Sequence, residues 1–180
     1  SHAVFVRSPH AHAKINGINI DAAKAAPGVL GVFTGADVAA DNINGLPCGW
    51  LITSTNGEPM KEPPHPILAQ GKVRYVGDHV AMVVALTQQQ ARDAAELVEV
   101  DYDVLPAVVN VADAASGAVA GAALHDIAPD NHCFKWAIGD KGGVDAAFAN
   151  AAHVTQLDLI NNRLIPNAME PRAAIGSYNR

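Results

Sequence analysis

Two histidines near the start of the chain, His10 and His12, have side chains that could do chemistry together. On a strand, side chains two positions apart share one face, and imidazole nitrogens arranged in this way bind metals. A protein metal site needs three or four ligands, and no third ligand follows at a local spacing. We therefore interpret the pair as packed or surface histidines beside the turn at Ser8-Pro9. A small metal-binding protein is the less favoured alternative.

Acidic side chains occur in two other settings. Asp101 and Asp103 could act as a pair in acid–base chemistry, but their alternation with apolar residues favours the solvated face of a strand. The long loop at 40–66 also carries groups with chemical potential: Cys48, Glu58, Glu62 and His65. Nothing in their spacing pairs a nucleophile with a base. The sequence therefore assigns no catalytic, cofactor-binding or metal-binding residue.

Two short segments near the end of the chain resemble motifs without completing them. Gly139 to Gly143 contains three glycines, but it lacks the Gly-Lys-Ser/Thr ending of a phosphate loop and the Gly-x-Gly-x-x-Gly spacing of a dinucleotide site. We predict a turn there. Met169-Glu170-Pro171-Arg172 places opposite charges around a proline, and we predict a salt-bridged corner.

Short elements would position these residues. Strands are predicted over residues 4–7, 13–20 (with a kink around Gly17), 29–33, 72–75 and 79–86. Asp21 is the predicted N-cap of a short helix over 22–26, which ends at Pro27-Gly28. Residues 40–66 are rich in Gly, Pro, Asn, Thr and Ser, which predicts a long irregular loop with a function or a contact of its own.

The clearest local signal follows the strand at 79–86. Thr87 and Gln90 form the Thr-x-x-Gln pattern of a capping box. Apolar residues then recur at i, i+3, i+4 and i+7, which indicates a helix with one apolar stripe: Ala91, Ala94, Ala95 and Val98. From 98 to 104 apolar and acidic residues alternate, which predicts a half-buried strand. This order suggests a βαβ-like unit whose small alanine face packs closely on a sheet.

The rest of the chain carries weaker signals. Residues 110–123 are rich in Ala and Gly and predict a short helix followed by a linker. Helical spacing returns at Val144, Ala147, Phe148 and Ala151. Strands are predicted over 154–160 and from Ala173 onward.

Composition limits the classes of protein to consider. Hydrophobic residues make up 49% of the 180 residues, enough for a packed core, whereas charged residues make up only 17%. That low share suggests a surface covered by a larger assembly. The net charge is −6 without a Lys/Arg cluster, which disfavours nucleic-acid binding. No apolar run approaches the roughly 20 residues of a membrane helix.

The cysteines and the first residues suggest a compartment and a truncation. Cys48 and Cys133 are far apart in sequence and form no Cys-x-x-Cys motif, so a reduced, cytoplasmic protein is expected. The chain opens without Met on a strand-like sequence, so we expect it to be truncated.

Four stretches, taken in order, resemble the large, molybdenum-binding subunit of the xanthine dehydrogenase, aldehyde oxidase and carbon monoxide dehydrogenase superfamily. They are VRSPHAHAKI at 6–15, KVRYVGDHVA at 72–81 with AAELVEVDYDVLP at 94–106, VDAAFA at 144–149, and NRLIPNAMEPRAAIG at 162–176. Each stretch alone is a weak signature. Together they span nearly the whole chain, so the resemblance is specific.

The resemblance implies an α+β fold class. It implies an α/β-hammerhead domain over residues 1–108, a linker over 109–124, and over 125–180 the beginning of the first molybdopterin-binding domain, which is cut short. Changes in composition along the chain suggest domain boundaries at similar positions.

The resemblance also implies chemistry for the complete enzyme. Such enzymes hydroxylate aldehydes, purines or other N-heterocycles, or oxidise carbon monoxide, with oxygen taken from water at a molybdenum–molybdopterin (dinucleotide) cofactor. A glutamate acts as general base, and electrons leave through 2Fe–2S clusters to FAD in partner subunits or domains. The complete enzyme is expected to dimerise. No nucleic acid or membrane span is expected.

The family's catalytic motifs lie beyond Met169-Glu170-Pro171-Arg172. They are a Gly-Gly-Phe-Gly segment, cofactor-contacting glutamines and the base glutamate, and Glu170 is not that base. The resemblance therefore implies a chain that is inactive alone and carries no cofactor. The alternative is a free-standing hammerhead-fold interaction module without redox activity.

The apolar residues of the long loop allow two interpretations: Leu46, Pro47, Trp50, Leu51 and Ile52. In the first, they contact another part of the enzyme, since exposed apolar patches mark such contacts. In the second, they fold back on the core of their own domain. The sequence gives the two equal weight.

Overall fold

The computed structural model describes residues 1–162, 164, 168–170 and 173–177. The chain divides into two compact units, residues 1–137 and 138–180. In chain order the elements of the first unit are β1 (His2–Arg7), β2 (Ala13–Asn19), α1 (Asp21–Ala25), β3 (Val29–Thr34), α2 (Gly35–Ala40), β4 (Lys72–Val73), β5 (His79–Ala85), α3 (Gln88–Ala95), β6 (Glu99–Val104) and α4 (Val111–Ser116). The second unit contains α5 (Lys141–Ala149).

Two three-stranded sheets organise the first unit. In the first sheet β5 lies between β1 and β3, and in the second β2 lies between β4 and β6. All four pairings are antiparallel. The register of β2 against β6 shifts between Ile15 and Gly17, which confirms the predicted kink. The central position of β5 explains its continuous apolar sequence, because a strand lies at each of its edges and all of its side chains are buried or half-buried.

The strand–helix–strand segment differs from the predicted βαβ-like unit. β5 and β6 belong to different sheets, and β6 pairs antiparallel with β2. The alternating pattern of a strand specifies which face is buried, but it does not specify which strand lies beside it. The prediction of a shared sheet was therefore wrong, although the three elements themselves are present.

Helix α3 packs its alanines on the first sheet, as predicted. Ala91 and Ala94 are fully buried, and Ala94 belongs to a core cluster with Val83 of β5 and Val32 of β3. Side chains this small allow the helix backbone to approach the sheet closely. The helix ends at Ala95, earlier than the predicted residue 98, in a tight turn that leads directly into β6.

The start of α3 forms only part of the predicted capping box. The Thr87 hydroxyl oxygen accepts from the Gln90 backbone N–H at 3.2 Å. The Gln90 side-chain oxygen accepts from the Thr87 hydroxyl at 3.1 Å. The Gln90 side chain therefore bonds the side chain of Thr87 instead of its backbone N–H. Thr87 still acts as the N-cap of α3.

A second core cluster connects the two sheets. Its buried members are Ala13, Ala69, Val73 and Val80. Ile15 and Ile18 of β2 and Val100 and Tyr102 of β6 pack against them. Valines of β6 thus face inward and its acidic residues outward, except that Val104 at the end of the strand is 61% exposed.

Two short helices of the first unit differ from prediction. Helix α1 begins at Asp21 itself, and the Asn19 side-chain oxygen accepts from the Asp21 N–H at 3.1 Å, so Asp21 is not the N-cap. Helix α2 was not predicted. Its signal is a Thr34-x-x-Asp37 capping box, in which Asp replaces the usual Glu or Gln at the third helical position.

In the second unit, the predicted helix is confirmed as α5 and the predicted strands were wrong. Residues 154–160 and 173–177 have no strand assignment. A strand needs a neighbour for its ladder of hydrogen bonds, and an apolar pattern alone does not supply one. Across the part of the chain that the structure describes, every helix falls short of the length and apolar character needed to cross a bilayer.

Candidate functional site

An apolar groove crosses the outer face of the first sheet, opposite the face that carries α3. Phe5 on β1 and Phe33 on β3 both pair with Met82 on the central strand, so their side chains stand in one row. The groove has a volume of about 610 Å³. Its floor is aromatic and sulfur-containing, a surface suited to apolar groups.

Helix α2 and the two ends of the 40–66 loop form the walls of the groove. The Leu46 N–H donates to the His65 carbonyl at 2.9 Å, which closes the base of the loop. Gly45 permits this close approach, because a Cβ there would overlap the His65 carbonyl group. Both ends of the loop therefore form part of the groove wall.

The ionisable side chains that line the groove include aspartates and histidines. Asp37 accepts from the Thr34 N–H at 2.7 Å and from the Thr34 hydroxyl at 2.9 Å, and these bonds lower the pKa of the Asp37 carboxyl. Burial lowers the pKa of His79, whose ring stacks on Phe5 at 4.6 Å. Asp41 adds a second carboxylate at the rim. At neutral pH the groove thus combines the Asp37 carboxylate with the neutral imidazole of His79.

The chemistry of the groove fits binding better than catalysis. Tyr75 lines it, and burial, followed by the nearby Asp78 carboxylate, raises the pKa of the Tyr75 hydroxyl, which keeps it protonated. Among the described residues that line the groove, none is a Ser, Thr or Cys placed beside a base. An apolar floor with a few polar groups at the rim is typical of a recognition surface.

His10 and His12 lie in the turn between β1 and β2, and they do not act as a pair. His12 is 1% exposed, and its Nδ1 lies 2.7 Å from the Pro106 carbonyl oxygen. The Leu105 N–H donates to the His12 carbonyl at 2.9 Å. His10 instead places its ring edge against Tyr102, with 5.0 Å between ring centroids. His12 therefore holds the end of β6 against this turn, in agreement with the interpretation of the histidines as packed side chains.

Asp101 and Asp103 lie exposed on β6, as predicted for a solvated strand face. Their register partners on β2 are Gly17 and Lys14. Within the described part of the chain, no three His, Cys, Asp or Glu side chains come close enough together to hold a metal ion.

Most of the reactive side chains in the long loop stabilise the loop itself. The Cys48 N–H donates to the Glu62 carboxylate at 3.0 Å, and the Glu58 carboxylate accepts from the Asn56 side chain at 2.9 Å. His65 is the exception, because it lines the groove. These contacts pair no nucleophile with a base.

The backbone of the long loop is hydrogen-bonded to another segment of the first unit, whereas the Trp50 side chain of the same loop is exposed. The Lys61 N–H donates to the Cys133 carbonyl at 2.9 Å, and the Thr55 N–H donates to the Lys135 carbonyl at 2.8 Å. Trp50, in contrast, is 81% exposed. Trp50 therefore does not fold back on the core, and the hypothesis that this loop contacts another part of the enzyme stays a prediction.

The glycine-rich segment near residue 140 is only partly a turn. Gly139 has a positive φ of 102°, as a turn requires. Gly142 and Gly143 lie in the first turn of α5, where the Asp140 carboxylate accepts from the Gly143 N–H at 3.0 Å. The prediction of a turn missed this helix start, whose signal is Asp140 three residues before Gly143.

The second unit offers no built site for a cofactor among its described residues. Every described side chain from Ile138 onward is exposed, so none of them is a buried polar group directed at a pterin. The described residues of this unit therefore do not enclose a molybdenum cofactor by themselves. In the predicted corner, Pro171 and Arg172 lie outside the described residues.

The groove itself was missed in sequence analysis, although two signals existed. Phe5 and Phe33 each lie on the face of their strand opposite valines that are buried or half-buried, and such alternation can be found in a sequence. The capping box at Thr34 and Asp37 marks the helix that forms one wall. What the sequence lacks is the pairing of β1 and β3 on either side of β5, which assembles the floor.

Two family models match the chain. One, described as the aldehyde oxidase and xanthine dehydrogenase a/b hammerhead domain, matches residues 1–106. The other, described as a molybdopterin cofactor-binding domain, matches residues 124–180.

Curated relatives match over nearly the full length of the chain. The carbon monoxide dehydrogenase large chain of Afipia carboxidovorans is 37% identical over 98% of this chain and 22% of the relative. The nicotine 6-hydroxylase large subunit of Paenarthrobacter nicotinovorans is 35% identical over 98% of this chain and 20% of the relative.

Solved structures give the same picture. A carbon monoxide dehydrogenase from Oligotropha carboxidovorans superimposes with a TM-score of 0.65 at 38% identity, covering 84% of this chain and 19% of that one. An aldehyde oxidoreductase from Desulfovibrio desulfuricans gives a TM-score of 0.56 at 29% identity, covering 73% and 13%.

Proposed function

The chain belongs to the aldehyde oxidase and xanthine dehydrogenase family of molybdenum-binding large subunits, and we propose that it forms the first part of such a subunit. The complete enzyme would oxidise aldehydes, N-heterocycles or carbon monoxide with oxygen derived from water. The observation that carries this proposal is the match of both domain models in order along one chain. The chain spans about a fifth of the length of the curated relatives it matches.

The proposed domain division places the hammerhead domain at 1–108, a linker at 109–124 and the start of the cofactor-binding domain at 125. Residues 107–123 fall between the two family matches, which supports a connector there. This stretch contains the short helix α4, which is followed by the C-cap Gly117 with a φ of 69°. Gly at this position is a common way to stop a helix.

The chain by itself is proposed to be inactive and to bind no molybdenum. The support is physical: a buried pterin needs enclosing walls and fixed polar groups, and the described side chains of the second unit are exposed. The complete subunit would supply the remaining walls, and with them the molybdopterin cofactor.

Metal analysis tests this proposal. We expect no stoichiometric molybdenum by mass spectrometry in the purified 180-residue chain, and about one molybdenum per subunit in the complete enzyme purified in parallel. Stoichiometric metal with a pterin in the short chain would overturn the proposal of an inactive fragment. A complete enzyme without molybdenum would overturn the proposed function.

Partners and cellular location follow the same proposal. Iron–sulfur and FAD subunits or equivalent domains would carry electrons away from molybdenum, and the complete enzyme would dimerise. The relatives include a chain named as the gamma subunit of a dehydrogenase complex, which supports a multi-subunit assembly. Cys48 and Cys133 are free thiols, which supports a reducing, cytoplasmic setting.

A free-standing interaction module is the second candidate. It is favoured by the first unit, which has two core clusters and two sheets of its own. The gene sequence beyond Arg180 separates the two candidates. A reading frame that continues into glycine-rich cofactor motifs favours the enzyme subunit, and a stop codon after Arg180 favours the module.

A further inference from the structure

Asparagine is followed directly by glycine at three places in the chain: Asn16-Gly17, Asn44-Gly45 and Asn56-Gly57. In such a pair the backbone nitrogen of the glycine can attack the side-chain amide carbon of the asparagine. Glycine favours the attack because it has no Cβ to hinder the approach or the backbone rotation that the approach needs. All three asparagines are exposed, so the surrounding structure decides which pair reacts.

At Asn56-Gly57 both reacting groups are held by hydrogen bonds. The Asn56 side chain donates to the Glu58 carboxylate at 2.9 Å and accepts from the Glu58 N–H at 3.2 Å. The Gly57 N–H, which belongs to the attacking nitrogen, donates to the Ser54 carbonyl at 2.8 Å. These bonds must break before the two groups can meet, so we expect the turn to slow the reaction here.

At Asn16-Gly17 the sheet restrains the backbone. Both residues lie in β2, and Gly17 is in register with Asp101 of β6. A strand holds its backbone extended. Ring closure instead requires rotation about the bond between the Asn16 Cα and its carbonyl carbon, so the sheet must open locally before the pair can react.

Asn44-Gly45 is free of both restraints, because it lies outside the helices and strands. Neither the Asn44 side chain nor the Gly45 N–H has a hydrogen-bond partner among the described residues. The residues on either side are held instead: the Ile43 N–H donates to a carbonyl of α2 at 3.1 Å, and the Leu46 N–H donates to the His65 carbonyl at 2.9 Å. The segment thus presents an exposed amide and an unbonded backbone nitrogen next to each other.

We propose that Asn44 is a site of spontaneous modification in this protein, at which deamidation proceeds through a cyclic imide. The Gly45 nitrogen forms a bond to the Asn44 side-chain carbon and loses its proton, and the side-chain nitrogen leaves as ammonia. Water then opens the ring at one of its two carbonyl carbons, which leaves either an aspartate or an isoaspartate. Water is the only co-reactant, and no electrons are exchanged.

An isoaspartate at this position would change the base of the 40–66 loop. It lengthens the backbone by one methylene directly before Gly45. The backbone is closely packed there, since a Cβ on Gly45 would overlap the His65 carbonyl group. The longer backbone therefore shifts Leu46 away from the His65 carbonyl, and the hydrogen bond that closes the loop is weakened.

Ageing of the complete large subunit at mildly alkaline pH tests the proposal. Peptide mapping by mass spectrometry follows each Asn-Gly pair for the mass change that accompanies replacement of an amide by a carboxyl group. Asn16 and Asn56 serve as references within the same molecule, because they have the same chemistry in different surroundings. The 180-residue chain is aged in parallel, both folded and unfolded in urea.

We expect Asn44 to convert at least about tenfold faster than Asn16 and Asn56 in the folded proteins, since the other two react only after local opening. In urea the three rates should become similar. An Asn44 that stays intact in the large subunit, or converts no faster than the other two, would overturn the proposal. A preference for Asn44 that persists in urea would overturn the structural cause.

Hydrogen exchange tests the effect on the loop. The isoaspartate form, separated by ion-exchange chromatography, should exchange at least about tenfold faster in the peptide that contains Leu46. Asn44→Asp introduces the same charge without the additional methylene and should keep the exchange rate of the parent. Asn44→Gln keeps the amide but disfavours ring closure, and it should age without change. Faster exchange in Asn44→Asp, or unchanged exchange in the isoaspartate form, would overturn the proposed effect of the longer backbone.

Discussion

Helices α3 and α5 look alike in sequence and differ in what they bury. Each begins with an N-cap side chain that accepts from a backbone N–H: Thr87 accepts from Gln90 in α3, and Asp140 accepts from Gly143 in α5. Each carries an apolar stripe. Yet Ala94 of α3 is fully buried, whereas Val144 and Phe148 of α5 are 53% and 60% exposed.

The two units that contain these helices differ in the same way. The first unit has two core clusters, each built between sequence-distant strands. In the second unit, Leu157 is 74% and Ile160 is 89% exposed. An apolar period therefore specifies which face of a helix or strand can be buried. Burial itself requires another element that packs against that face.

Overpacking should give the largest contrast between the two helices. Ala94→Leu inserts three carbon atoms into the contact between α3 and the first sheet and should lower the free energy of unfolding by roughly 1–3 kcal/mol. Ala147→Leu makes the same change on the exposed α5 and should leave that free energy within about 0.5 kcal/mol of the parent. Urea denaturation of both variants measures the difference. A stable Ala94→Leu variant would mean that α3 does not pack on the sheet as described.

Removing the N-cap side chains should give a smaller difference in stability between the two helices. Thr87→Ala deletes the N-cap hydrogen bond of α3 and should cost about 1 kcal/mol of global stability. Asp140→Ala deletes the cap of α5, whose loss should reduce helical circular dichroism without moving the urea midpoint. Equal midpoint shifts in the two variants would indicate that α5 is part of the same cooperative unit as α3.

Acid should weaken the first unit. Burial lowers the pKa of His79 and of His125 below 6.5. As the pH falls through 6.5, the unfolded chain takes up protons before the folded one, so the free energy of unfolding decreases. We expect urea midpoints to fall between pH 7.5 and 5.5, and to fall less when His79→Gln and His125→Gln are combined. An unchanged pH dependence in the double variant would remove both histidines as its cause.

The smallest expected effect is a change in the fluorescence of Trp50, which is exposed in this chain. In a Trp136→Phe background, Trp50 of the 180-residue chain should emit at long wavelength and be quenched readily by acrylamide, since it is 81% exposed. In the complete enzyme the same residue should be protected if the 40–66 loop contacts another part of the enzyme. Emission at short wavelength from the isolated chain would mean that Trp50 is buried within its own domain.

Local interactions made the elements of the first unit predictable. The kink near Gly17, the stop at Pro27-Gly28 and the N-cap at Thr87 each depend on residues within a few positions of one another. Prediction failed locally in two places. The Asn19 side chain accepts from the Asp21 N–H, so Asp21 lies inside α1 instead of capping it. At α2, Asp37 completes the capping box in place of the usual Glu or Gln.

The candidate site could not be predicted in the same way. Its floor requires Phe5, Met82 and Phe33 to lie side by side, although they come from three strands distant in sequence. The predicted strand at 154–160 failed for the related reason that its pattern requires neighbouring strands that the sequence pattern alone cannot supply.

By itself, the sequence determined the family, through four ordered stretches, and the position of most helices and strands, because both depend on residue identity and local spacing. Only the tertiary structure decided that β5 and β6 belong to different sheets, that His12 is buried against the Pro106 carbonyl beyond the end of β6, and that an aromatic groove with aspartates at its rim faces outward. Each of these depends on contacts between residues far apart in the chain, and backbone hydrogen bonding between strands carries no residue-specific label that a sequence pattern could reveal.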